Sequence, residues 1–270
     1  MIRLKSADEI GILREGGKKL AVILDQLGKE VKPGITTGYL EHLARELIRE
    51  AGGEPAFLGY VSDFDSPPFP TALCTSVNDE VVHAPALPAR TLKSGDIIGI
   101  DVGMEYPVKR EANGRKIGMG LFTDMAATFP VGKVPARTRQ LIKVTRKSLD
   151  SAIARIKPGN TIIDIGRAVQ ECAEANGFSI VRDLVGHGVG FAVHEDPQIP
   201  NYASEPGVFP KTVLKPGMVI AVEPMVNMGK SGIYVDEDGF TFRTADGQLS
   251  AHFEHTIAVT EKGNIVLTAL

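Results

Sequence analysis

Val31-Lys32-Pro33-Gly34-Ile35-Thr36 and Ile156-Lys157-Pro158-Gly159-Asn160-Thr161 are one turn written twice, 125 residues apart. Each copy runs into a helical pattern, with Leu40, Leu43, Leu47 and Ile48 after the first and Ile165, Val169, Cys172 and Ala173 after the second. Both patterns stop near glycine, at Gly52-Gly53 and at Gly177, as helix C-termini often do. Thr37 is the candidate cap of the first helix and Thr161 of the second. Farther along, Leu92-Lys93-Ser94-Gly95-Asp96-Ile97-Ile98-Gly99-Ile100-Asp101 parallels Leu214-Lys215-Pro216-Gly217-Met218-Val219-Ile220-Ala221-Val222-Glu223 at an offset of 122. In both blocks a turn leads into a β-branched strand that ends on a carboxylate. A weaker third match sets Phe122-Thr123-Asp124 against His252-Phe253-Glu254, at an offset of 130.

Three blocks in the same order imply a duplicated chain. Residues 1–270 are expected to form a single domain with internal halves of about 7–133 and 134–268. The expected fold is α/β (α+β), with pseudo-two-fold helix–strand halves forming one unit. Helices are expected over 7–28, 37–52, 135–156 and 161–176. Strands are expected around 56–61, 71–83, 96–105, 121–130, 179–185, 218–226 and 251–259.

Composition narrows the function. Lys plus Arg total 30 and Asp plus Glu total 33, so a general nucleic-acid or membrane-surface binder, which would be basic, is disfavoured. The N-terminal stretch Met1-Ile2-Arg3-Leu4-Lys5-Ser6-Ala7-Asp8-Glu9 has no apolar core of a signal peptide. Apolar runs such as Leu20 to Leu24 fall far short of the roughly 18 residues that span a bilayer. Two cysteines, Cys74 and Cys172, do not make a disulfide scaffold. The chain reads as cytoplasmic.

Asp101, Asp124, Glu223 and Glu254 lie in or at the ends of apolar strand patterns. An isolated buried carboxylate costs several kcal/mol, or shifts its pKa until it is neutral. Solvated strand ends or arginine pairs would explain one such residue more easily than four. His187 lies between Gly186 and Gly188, where glycine lets other groups approach closely, and His194 follows seven residues on. The spacing is not the His-Glu-x-x-His of helical zinc proteases. Four carboxylates and an imidazole suit divalent ions of intermediate hardness such as Mn, Fe, Co or Zn. Four negative charges would balance two such ions, and paired dications suit hydrolysis.

Together these residues resemble the type I methionine aminopeptidases, with the pita-bread fold and its curved, mainly antiparallel sheet. The motifs that carry the resemblance are Cys74-Thr75-Ser76-Val77-Asn78-Asp79-Glu80-Val81-Val82-His83, Ile100-Asp101-Val102-Gly103, Thr123-Asp124, Gly186-His187-Gly188-Val189-Gly190 with His194-Glu195, Val222-Glu223-Pro224-Met225 and Phe253-Glu254-His255-Thr256. The likeness runs from about residue 2 to 268. It implies a metal-dependent exopeptidase that removes the initiator methionine from nascent polypeptides when the second residue is small, using a metal-held hydroxide. Two divalent ions (Co, Mn, Fe, Zn or Ni) would be held by Asp101, Asp124, His187, Glu223 and Glu254, with Asp124 and Glu254 shared between them. Glu223 would also shuttle protons. His194 would polarise the scissile carbonyl, and His83 would contact the substrate backbone. Tyr60, Cys74, Val193 and Phe240, with Phe69 beside them, would line the methionine pocket. Asn78 and Ser250 match positions near a monovalent cation. The family further implies a monomer that meets the ribosome transiently, with no membrane and no stable nucleic-acid partner.

Four features depart from the family pattern. The connection Met104 to Gly120 is long and rich in Lys and Arg, and Asn113-Gly114 is a hairpin signal, so a hairpin extending into solvent or into a subunit contact is expected there. Phe240 stands where many relatives carry tryptophan. His83 is followed by Ala84-Pro85 rather than glycine. The stretch Asp63 to Pro70 is long and proline-rich. The rivals are an X-Pro aminopeptidase or prolidase on the same fold, usually with a large N-terminal domain, and a non-enzymatic binding protein of that fold, which typically lacks metal ligands.

Overall fold

The computed structural model describes residues 1–61, 67–112, 114, 116–205 and 207–270. Half of the stretch from Asp63 to Pro70, residues 63–66, and Asn113 of the hairpin signal therefore lie outside the described residues.

Two helix pairs flank a curled antiparallel sheet. The first pair is α1 (Ala7–Glu30) and α2 (Thr37–Glu50); the second is α3 (Ala136–Ile153) and α4 (Ile162–Glu174). The strands are β1 (Glu54–Pro55), β2 (Leu73–Val77), β3 (Glu80–Val82), β4 (Ile97–Tyr106), β5 (Leu121–Pro130), β6 (Ser179–Ile180), β7 (Val185–Gly188), β8 (Glu195–Pro200), β9 (Val219–Val222), β10 (Met225–Asn227), β11 (Ile233–Val235), β12 (Phe242–Thr244), β13 (Ser250–His252), β14 (Glu254–Thr260) and β15 (Gly263–Val266). The main sheet runs β1-β4-β5-β14-β9-β7-β8, with β2 on β4 and β15 on β14. Its convex face carries the helices. Leu20, Ile23, Leu24 and Leu27 of α1 pack on Ile98, Ile100 and Val102 of β4. Leu141 and Leu149 of α3 and Ile165 and Val169 of α4 pack with Ile220, Val222, Ile257 and Val259. Each such buried side chain is worth about 1.5–3 kcal/mol. The concave face is left to the site.

The duplication is visible in hydrogen bonds. Gly34 N–H donates to Leu92 O and Leu92 N–H to Ile35 O; Gly159 N–H donates to Leu214 O and Leu214 N–H to Asn160 O. The strand ends corresponding to the third block also repeat, since Gly95 donates to Val131 O and Val131 to Asp96 O, while Gly217 donates to Val259 O and Val259 to Met218 O. That last correspondence, Val131 with Val259, is an offset of 128, so the third block is aligned two residues too far. Asp124 corresponds to His252, and Ala126 to Glu254. Ala126 and Glu254 are direct partners across β5 and β14, and the pseudo-two-fold passes through that pair.

The cap of α2 is Thr36, whose hydroxyl accepts from Tyr39 N–H at 3.1 Å. Thr37 lies one residue inside, with its hydroxyl buried, donating to Ala86 O at 2.7 Å and accepting from Arg90 N–H at 2.9 Å. Thr161 does cap α4, and Asp164 accepts from its backbone N–H at 2.8 Å. Helix bounds otherwise follow the sequence pattern to within three residues.

Strands fare differently. The stretch 56–61 turns instead of extending, and the pairing moves to Glu54–Pro55. The stretch 71–83 breaks at Asn78, which adopts φ 60° between β2 and β3. The stretch 179–185 divides, and His187 falls inside β7 rather than after a strand. The stretch 218–226 breaks at Glu223-Pro224, where proline offers no N–H to the ladder. The stretch 251–259 breaks at Phe253. These breaks put Glu223 and Glu254 at strand ends facing the concave side.

Among its described residues, the segment 104–120 does turn as a hairpin, with Arg110 bridging Lys116 and Ile117 N–H donating to Lys109 O, and Ile117 and Met119 stand exposed, while ion pairs tie it to the sheet edge. Lys116 pairs with Glu105 and, at 2.9 Å, with Glu54, and Arg110 also pairs with Glu54. Acids on β1 and β4 thus compensate Arg110 and Lys116. Both cysteines are free, and no helix among the described residues is long and apolar enough to cross a membrane.

Candidate metal centre and cavity

A cavity of about 250 Å³ opens on the concave face. Asp101, Asp124, His187, Glu223 and Glu254 line one end of it. Asp101 comes from the middle of β4, directly opposite Cys74 of β2. Asp124 comes from β5, where its backbone N–H donates to Thr256 Oγ1 at 2.9 Å and its carbonyl accepts from the same hydroxyl at 2.7 Å. That clip ties β5 to β14, the strand that carries Glu254.

His187 is placed by its glycine neighbours. A Cβ on Gly186 would stand 2.4 Å from Ala221 O, and one on Gly188 2.1 Å from Asp196 O. Only glycine lets β7 lie so close between β8 and β9. The His187 Nδ1–H donates to Gly188 O at 2.8 Å. This leaves the Nε2 lone pair free, as a metal-ligating histidine requires. Nε2 lies 3.6 Å from Glu223 Oε1 and 4.0 Å from Glu254 Oε1.

The electrostatics exclude a salt-bridge explanation. No lysine or arginine is among the described residues lining the cavity. Burial, and then the neighbouring Asp124 and Glu223, push Asp101 well above the usual carboxylate range. Burial, and then the charges of the other three acids, do the same to Glu254. Burial pushes Asp124 up to about 7, reinforced by Glu223. Burial likewise takes Glu223 to about 7, with His187 pulling the other way. Asp101 Oδ1, Asp124 Oδ1 and Glu254 Oε1 are buried without a hydrogen-bond partner. Orphaned carboxylate oxygens converging on one point, with an imidazole lone pair, fit a divalent cation. The oxygen and nitrogen donors of Asp124, His187 and Glu254 all lie within 4.8 Å of one another.

The other end of the cavity is apolar. Tyr60, Cys74 and Phe240 line it with Phe57, Phe69 and Phe242. Phe69 meets Phe240 edge-on at 5.5 Å. Burial and the nearby acids push the Cys74 thiol far up, so it stays a neutral, soft hydrophobe. Val193 does not line the cavity; it packs in the core beneath, with Cys74, Phe57 and Phe69.

His83 and His194 stand between the two ends. His83 holds φ 61°, a left-handed backbone that costs a non-glycine residue about 1–3 kcal/mol, and meets Phe242 edge-on at 5.6 Å. Burial, then His252 and His187, hold its imidazole down at about 4, so it is neutral. His194 sits at the mouth, edge-on to His187 at 4.3 Å. Loss of hydration, then His187 and His83, pushes its imidazole down as well. Its Nδ1 lies 2.7 Å from the Tyr60 hydroxyl. A second cavity, about 450 Å³, shares His83, His187, His194 and Glu223 and runs on past Asp183 and Gln198.

Asn78 and Ser250 do not reach the cavity. They meet each other, with Ser250 N–H donating to Asn78 O at 2.9 Å. Sequence reasoning missed Phe57, Pro67 and Phe242 on the apolar wall and His252 beside the acids. His252 was findable, since it stands two residues before Glu254 and strand alternation turns both to one face.

The chain matches metallopeptidase family M24 over residues 11–261. It is 42% identical to a methionine aminopeptidase of Clostridium perfringens, over 100% of both chains. The solved methionine aminopeptidase of Thermotoga maritima superposes with a TM-score of 0.88 at 42% identity, again over 100% of both chains. A prolidase from Pyrococcus horikoshii superposes with a TM-score of 0.72 at 20% identity; 98% of this chain covers 63% of that one, a likeness of fold alone.

Proposed function

The chain belongs to metallopeptidase family M24, among its methionine aminopeptidases, and from that premise we propose how its site works. It is a metal-dependent exopeptidase that removes N-terminal methionine from polypeptides. The observation that carries the reading is the pairing, in one cavity, of buried carboxylates that have no cationic partner with an apolar far end.

Asp101 would hold one divalent ion, Asp124 and Glu254 would be shared between two, and His187 and Glu223 would complete the second. Two dications, drawn from Co, Mn, Fe, Zn or Ni, balance the four carboxylates. When bound, such ions polarise a carbonyl and supply a nucleophile at neutral pH. The protein does the rest. Tyr60, Cys74, Phe69 and Phe240 take the methionine side chain, with Val193 supporting them from beneath. The Tyr60 hydroxyl donates to His194 Nδ1, which leaves the His194 proton on Nε2 as a donor for the developing oxyanion. His83, held neutral, steadies the peptide backbone. Glu223 takes a proton at its carboxylate and returns it to the leaving amine. The remainder of the peptide leaves along the second cavity, and a small second residue is preferred.

Around this site we read one catalytic domain in two halves, 7–133 and 134–268, working as a cytoplasmic monomer near the ribosome. A monovalent cation at Asn78 and Ser250 would brace the strand break that carries His83. Purified protein loaded with Mn or Co is expected to release methionine from Met-Gly and Met-Ala peptides, and not from Met-Leu or Ala-Ala peptides. Equal or faster cleavage of X-Pro peptides would reject the assignment.

A further inference from the structure

His252 has no part in the ligand set described above, yet it is built into the same centre. It is buried, with 3% of its surface exposed. Its backbone is clamped on both sides by one hydroxyl, its N–H donating to Thr128 Oγ1 at 2.9 Å and its carbonyl accepting from Thr128 Oγ1 at 2.8 Å. On the opposite edge it pairs with Met225 of β10, two residues past Glu223. Both neighbours of its ring are therefore fixed by backbone.

The ring faces the two glutamates. Its Nε2 lies 3.5 Å from Glu223 Oε2 and 3.9 Å from Glu254 Oε2. His187 Nε2 approaches the same two residues from the other edge, at Oε1 of each. Two imidazoles thus bracket one pair of carboxylates, each addressing its own row of oxygens. His252 Nε2 is buried and without a hydrogen-bond partner. Buried polar atoms are nearly always satisfied, so an orphan aimed at two acceptors calls for an explanation.

We infer that His252 is a positioning residue whose Nε2–H donates to the Oε2 edge of Glu223, shared with Glu254. It orients both carboxylates so that Oε1 faces His187 and the metal. A ligating carboxylate held by an outer hydrogen bond is fixed in rotation, and losing such a partner typically weakens metal affinity or activity about 10- to 100-fold. The inference rests on the metal centre proposed above, but not on the identity of the substrate.

The test compares His252→Gln, whose amide N–H reaches a similar place, with His252→Asn, which is too short, and His252→Leu, which has no donor. Circular dichroism and thermal melting check folding. Calorimetric titration with Co(II) and the visible Co(II) spectrum read the centre without any substrate, and kcat and KM follow on Met-Ala peptide. His252→Gln is expected to keep Co(II) affinity and spectrum within about three-fold of wild type. His252→Asn and His252→Leu should lose about 10- to 100-fold in affinity and in kcat, with KM little changed. If His252→Leu does not fold, the Gln and Asn pair decides. Two results overturn the inference: all variants matching wild type, or His252→Gln failing like the others with an altered Co(II) spectrum, which would make His252 a ligand. A failure of the methionine aminopeptidase reading would appear instead as normal Co(II) binding without methionine release in the wild type.

Discussion

Asp124 carries conflicting demands at the residue scale. Its carbonyl and N–H clip β5 to β14 through Thr256, while its side chain is buried among three other acids. Asp124→Ala keeps the clip, which is made by the backbone, and removes one of four mutually repelling groups. The variant is expected to be folded, to bind no stoichiometric pair of divalent ions and to release no methionine. Its metal-free melting temperature should not fall below that of metal-free wild type, because the deleted carboxylate stabilised the site only through a cation. Metal analysis, turnover on Met-Ala peptide and a thermal melt check this; undiminished turnover would reject the site. Asp101, Asp124, Glu223 and Glu254 were legible in the sequence because charge is conspicuous in an apolar strand. His252 was harder to read, because a lone histidine in a strand usually needs no explanation and only its spacing of two from Glu254 hinted at a shared face. Val193 was placed in the pocket wall by resemblance, and packing turns it away by one layer.

At the scale of elements, the duplicated turn shows how far local pattern extends. The repeat pairs Thr36 with Thr161, and both are caps; the cap signal at Thr37 is one residue displaced, because two consecutive threonines satisfy the same local preference. What separates them is tertiary: Thr37 Oγ1 serves Ala86 and Arg90, on a distant segment. Thr36→Ala should therefore cost about 1 kcal/mol, as a lost cap does. Thr37→Ala leaves a buried carbonyl and a half-buried N–H unpaired and should cost more, with about 1–3 kcal/mol for the carbonyl alone. Denaturant melts of the two variants check the order, and a larger loss for Thr36→Ala would refute it. Helices were legible because their caps and periodicity are local. Strand ends were not, because β-pairing ends where a partner strand leaves, as at Phe253, or where a remote segment demands a kink, as at Asn78.

For the whole molecule, the concave face concentrates uncompensated acid. Asp124 and Glu223 are raised to about 7 from 3.8 and 4.5. A carboxylate with a raised folded pKa favours the folded state while it is protonated. That contribution is complete below about pH 4 and is lost as pH rises to about 7, while His83, His252 and His255, held down at about 4 by burial, act in the opposite sense up to about pH 6.5, so the acids' share is read from the difference that metal makes. Metal binding acts in the opposite sense, because its ligands must be deprotonated. At a free metal concentration 100-fold above Kd it adds about 2.7 kcal/mol. Thermal melts at pH 5 and pH 8, with chelator and with Mn, are expected to show a metal-dependent gap that widens at pH 8. A metal-dependent gap that shrinks from pH 5 to pH 8 would contradict the picture.

Sequence alone determined the duplication, the four helices, and the four acids and one histidine that ask for metal. These follow from short-range rules: periodicity, turn chemistry and the rarity of charge in apolar strands. Only the tertiary structure decided the correct register of the third repeat, the folding of the 104–120 segment onto Glu54 and Glu105, the tautomer of His187 and the approach of His252 to Glu223. Each of these depends on which strands become neighbours. Residues more than a hundred positions apart meet through hydrogen bonds and ion pairs that single-chain patterns do not encode.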